Sequence, residues 1–113
     1  MDQNRNKLIE LFIGNISNAV LHKILEKAVT DTDIADRYNK EIKNSFEIAK
    51  QYRDKINPLI IPLPEKDVNY IKDKIIRKVK AELQIRISKG YKNINLDLVE
   101  QIMNELLKET KIT

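Results

Sequence analysis

The chain has 113 residues, 42% of them hydrophobic and 34% charged, with a formal net charge of +4. That length supports one domain with a real core, and that balance excludes a disordered chain. The absence of cysteine excludes disulfides, thiolate metal sites and cysteine nucleophiles, and only two glycines disfavour an all-β fold built on tight hairpins.

Read in order, Ile9, Ile13, Ile16, Val20 and Ile24 recur at spacings of three and four, which predicts a first helix over 4–29. Leu8, Phe12, Ala19, Leu21, Leu25 and Ala28 widen the apolar arc, so the helix is expected to be central and continuous, although Gly14 weakens it. Glu10 interrupts the apolar run at 8–13, and Asn15, Ser17 and Asn18 follow, so this is read as part of the mature fold and not as a signal sequence. No uninterrupted apolar run approaches the roughly 20 residues that span a bilayer. A reducing, cytoplasmic setting without membrane contact is the expectation.

Thr30, Asp31, Thr32 and Asp33 supply caps for a second helix, whose expected core stripe is Ile34, Tyr38, Ile42, Phe46 (with Ser45), Ala49, Tyr52 and Ile56. All three prolines fall in the next stretch, Asn57-Pro58-Leu59-Ile60-Ile61-Pro62-Leu63-Pro64. Proline cannot occupy a helix interior, and it pushes the preceding residue towards extended backbone. Pro64 suits the first turn of a third helix, over 65–89, with apolar face Val68, Ile71, Ile75, Ile76, Val79, Leu83 and Ile87. Ser88-Lys89-Gly90 stops it, with Gly90 in the left-handed conformation. A fourth helix is predicted to start at an Asn95 N-cap and to bury Leu96, Val99, Ile102, Met103, Leu106 and Leu107, its last residues fraying. The expected fold is one all-α domain over 1–113. It is a four-helix bundle of two helical hairpins, 4–56 and 65–110, joined by a Pro-rich apolar crossover at 57–64.

Charge is unevenly placed. Before Pro64 ten basic residues meet nine acidic ones, whereas 65–92 holds nine basic against four acidic. On a helical wheel Lys66, Lys74, Arg77, Lys78 and Lys80 lie opposite Ile71, Ile75 and Val79, with Tyr70 among them. Such a face could contact phosphates, with Tyr70 stacking on a base, or it could be a solvated face of a lysine-rich helix. A helix–turn–helix reading of the last two helices fails, because the connection is too long and the second helix is acidic.

Catalytic and metal patterns are weak throughout. His22 is the only histidine and has no second histidine or cysteine with which to share a metal; Ser17 stands five residues before it. Asp31, Asp33 and Asp36 resemble the start of a calcium loop, but the glycine and glutamate that such a loop needs are replaced by Asp36 and Ile42. No glycine-rich phosphate loop or nucleophile elbow can be drawn. No catalytic residue, metal, cofactor or small-molecule substrate is therefore expected. The function expected is a small non-enzymatic interaction or assembly module that associates with itself or another protein, with Leu59, Ile60 and Ile61 as candidate contacts. The alternative is nucleic-acid binding by Lys66, Tyr70, Lys74, Arg77, Lys78 and Lys80.

Overall fold

A computed structural model describes residues 2–58 and 61–113, with side chains from residue 4 onward. Among the described residues there are four helices and no strand: α1 (Asp2–Ala28), α2 (Thr32–Ile56), α3 (Glu65–Ser88) and α4 (Leu98–Glu109). The molecule is an all-α four-helix bundle. At 27 residues α1 is about 40 Å long, and it sets the 44 Å axis of a body 23 and 22 Å across.

α1 organises the rest. It passes through Gly14 without a break and packs against α2, α3 and α4, while α3 also packs on α4. The backbones of α2 and α3 do not approach each other, nor do those of α2 and α4. A helix with three neighbours must be apolar round most of its circumference, which is why two offset stripes coexist on α1. Phe12, Ile13, Ile16, Ala19, Val20, Ile24 and Leu25 are all buried and join residues of the other three helices in one continuous core. By length and overall composition Asn4–Ala28 is apolar enough to cross a membrane, a property that uninterrupted runs had not shown. In the fold that apolarity is turned onto the other helices.

Side-chain contacts fix the directions. Asn18 bonds to Ser45, and the His22 ring lies against Tyr38, so α2 descends as α1 ascends. Arg5 pairs with Asp67 and Tyr70 bonds to Glu10, so α3 runs parallel to α1. The end of α4 returns to the end of α2, where Arg53 donates to the Lys111 carbonyl.

Several expectations need correction. The buried stripe of α2 is Ser45, Ala49, Arg53 and Ile56, whereas Tyr38, Ile42, Phe46 and Tyr52 are half-buried and Ile34 is exposed. Having only α1 as neighbour, α2 buries a narrow strip. Small side chains there let the helices approach, and the rings flank the contact. α4 starts two residues later than expected, after Asp97 and not after Asn95. Asn95 accepts from the Asp97 amide at 3.0 Å, and non-helical turns join Leu98 to Asn95 and Val99 to Leu96. Half-burial of Ile94 and Leu96 against the core holds this segment off the helix axis. Pro64 stands one place before α3, its carbonyl accepting from Asp67 and Val68.

The final residues do not fray. Ile112 N–H donates to Leu107 at 2.9 Å and Lys111 N–H to Lys108 at 3.1 Å, a six-to-one and five-to-two pair that closes α4 and buries Thr110 and Ile112. The same closure ends α3, where Tyr91 donates to Arg86 and Gly90 to Ile87 with Gly90 at φ 98°. In α4 the left-handed position is held by Lys111 at φ 64°.

Candidate functional site: the groove between the first and third helices

The gap between α2 and α3 exposes a strip of α1, and along that strip the sequence changes character. Gly14, Asn15, Asn18 and His22 interrupt the aliphatic residues in the middle of α1, at spacings that bring them to one side. Each polar side chain has a partner, two of them within α1 and one on α2. Asn15 Nδ2 donates to the Leu11 carbonyl at 2.8 Å, and Asn18 Nδ2 donates to Ser45 Oγ at 2.6 Å. His22 Nδ1 donates to the Asn18 carbonyl at 2.7 Å; a carbonyl can only accept, so this nitrogen carries the proton. Glu26, one helical turn on from His22, plays no part in these contacts.

α3 forms the facing wall. Lys78, Val79, Glu82 and Arg86 enclose with α1 a hollow of about 400 Å³. Arg86 Nη1 donates to Glu82 at 3.1 Å to its carboxylate and 3.2 Å to its carbonyl. Ser17, only 3% exposed, lines the hollow from below, and its hydroxyl has no hydrogen-bond partner among the described residues. An unsatisfied buried hydroxyl costs about 1–3 kcal/mol. Lys78 belongs also to a second hollow lower in the groove, with Glu10, Ile13, Lys74 and Arg77. A third, near the start of both helices, includes Lys66 and Tyr70.

The structure therefore divides the basic face expected from the helical wheel. Lys74, Arg77 and Lys78 come together beside α1, and Lys66 sits with Tyr70. Lys80 is half-buried and lines none of these hollows. Arg77 is paired with Asp73 at 3.1 Å, and Lys74 lies over the Tyr70 ring at 5.6 Å. Lys66, Lys74 and Lys78 form no ion pair among the described residues. Tyr70 is 42% exposed, but its hydroxyl is committed to Glu10. That hydrogen bond raises the phenol pKa above its ordinary 10.0, with burial and the Glu10 charge adding in the same direction.

Of the connector candidates, one lies within the described residues. Ile61 is 51% exposed, Leu63 is buried, and Leu59 and Ile60 lie outside the described residues. At the opposite end of the bundle an exposed apolar area emerges, part of it formed by residues that periodicity assigned to the core. Ile34 and Tyr91, 40% and 49% exposed, line one hollow with Leu25, Val29, Asp31 and Lys92. Ile87, the last member of the α3 core stripe, is exposed close by in sequence. The signal that could have found this area is the run of apolar positions continuing past the last turn of each helix. The groove signal was the Gly14 to Asn18 interruption, which reads equally well as a bend. No protein-family model, curated protein or solved structure matches the chain.

Proposed function

We propose that the protein is a non-enzymatic helical interaction module that pairs with a second copy of itself through the end where the α1–α2 and α3–α4 connections meet. The observation that supports this is Ile34 and Tyr91 exposed around a shared apolar hollow whose rim carries both Asp31 and Lys92. In a two-fold contact each patch meets its own copy, so a rim with both charges is complementary to itself: Asp31 of one protomer faces Lys92 of its partner. Aromatic residues in such a patch contribute most of the association energy. Exposed Ile61 marks a second apolar point, at the other end of the bundle.

Sedimentation equilibrium of the intact chain tests the reading. The wild type should be dimeric at micromolar concentration, and Ile34→Asp with Tyr91→Asp should be monomeric with unchanged helicity. Ile61→Asp should remain dimeric; dissociation by that change alone would move the interface to the connector. A strict monomer at high micromolar concentration would refute self-association.

A second reading, nucleic-acid binding, draws on Lys66, Lys74, Lys78 and Lys80, candidate contacts on α3 that carry no ion pair among the described residues. It requires salt-dependent binding to DNA or RNA that Lys74→Glu, Arg77→Glu and Lys78→Glu together abolish. Absence of binding at low salt ends it.

A further inference from the structure

We infer that the upper hollow of the α1–α3 groove binds a small molecule through an oxyanion, a phosphate or carboxylate group, held by Lys78, Arg86 and Ser17. Three independent features point there. The charges that line the hollow are Lys78 and Arg86 against Glu82, a net positive site in which Lys78 has no ion pair among the described residues. Arg86 gives Glu82 only its Nη1, so the other edge of its guanidinium remains for a second acceptor, the geometry that suits an oxyanion. The Ser17 hydroxyl is a buried donor without a partner among the described residues, although a helical serine can usually bond back to the preceding turn.

Gly14 adds to these three. Glycine is disfavoured inside a helix, and packing does not require it here. A methyl group at this position would meet nothing nearer than Lys78 Nζ, at 4.0 Å. Helix approach therefore leaves the glycine unexplained, whereas an open floor beneath Lys78 gives it a purpose. A volume of about 400 Å³ is on the small-molecule scale, and Leu21 and Val79 provide apolar sides for a carbon skeleton. This hollow shares no lining residue with the one at the end proposed for self-association, and its test reads a different property, so either can fail without the other.

The test is an amide chemical-shift titration of the whole chain with inorganic phosphate at constant ionic strength, repeated with acetate and with chloride. Saturable shifts are expected at Gly14, Ser17, Asn18 and Glu82 and at the Arg86 side chain, with none from chloride. Lys78→Gln, a change at an exposed position, should weaken binding about ten-fold. Ser17→Ala should weaken binding while leaving thermal stability equal or higher, because it removes an unpartnered hydroxyl; a purely structural role would lower stability and spare binding. Saturation by phosphate alone assigns phosphate esters, and saturation by acetate as well extends the class to carboxylates. Linear shifts spread over all surface lysines, or saturable shifts unchanged in Lys78→Gln, would overturn the proposal.

Discussion

Replacing Arg53 offers the sharpest test of how the bundle is closed. Its side chain is 1% exposed and has no carboxylate within ion-pair distance among the described residues. Nη1 donates to Asn57 Oδ1 at 2.5 Å and to its carbonyl at 3.3 Å, and Nη2 donates to the Lys111 carbonyl at 3.1 Å. Burial lowers the guanidinium pKa, and the nearby Asp54 charge opposes that shift only in part. Two effects therefore compete. Removing a desolvated cation is favourable, while losing charge-assisted hydrogen bonds worth about 1.5–3 kcal/mol each is not. Asn57 is half-buried and water can replace part of its loss, whereas the carbonyl beside buried Thr110 and Ile112 has less access to water. Arg53→Ala also leaves a large void, so a loss of about 3–5 kcal/mol is expected, a substantial part of the total stability of a domain this size. Arg53→Met restores most of the volume and should cost about 1–2 kcal/mol. Urea unfolding measures both, and hydrogen exchange should show Lys111 and Ile112 amides losing protection before the core does. An Arg53→Met protein as stable as wild type, with those amides still protected, would refute the reasoning and make the guanidinium a tolerated burden.

Further predictions concern local conformation and titration. Lys111→Gly should raise stability by about 0.5–1 kcal/mol, because lysine at φ 64° occupies a region glycine reaches without a side-chain clash. Gly90→Ala should lower it by about 1 kcal/mol for the converse reason, even though no atom lies within 4 Å of the added methyl. Both are read as shifts in the urea midpoint. For Tyr70, the hydrogen bond to Glu10 favours the protonated phenol. Its stabilisation is complete below the ordinary pKa of 10.0 and is lost as pH rises through the raised value. Glu10→Gln should bring the phenol titration, followed by ultraviolet absorbance, down towards the ordinary value, and an unchanged curve would disprove the contact.

Much of the local structure was legible in the residues themselves. The capping role of Asp31, which accepts from Asp33 at 2.8 Å and Ile34 at 3.1 Å, follows from side-chain chemistry within one turn. So does the left-handed Gly90. The wide apolar arc of α1 implied a helix with several neighbours, and that is its place. Errors arose where identical patterns have different consequences in space. Ile34 fits the α2 periodicity as well as Ala49 does, yet only Ala49 lies under α1. Asn95 is a good cap by type, but the pull of Ile94 and Leu96 towards the core moved the helix start to Leu98.

By itself, then, the sequence determined four helices, the ends that glycine and the Asp31 cap dictate, and the central position of α1. These depend on backbone preferences and on periodicity within a few residues. Tertiary structure alone decided that Arg53 is buried, that Lys111 closes a helix, and that α2 and α3 part to leave a polar groove. Each of those depends on groups tens of residues apart, whose meeting is set by which helical faces pack and not by any pattern within one of them.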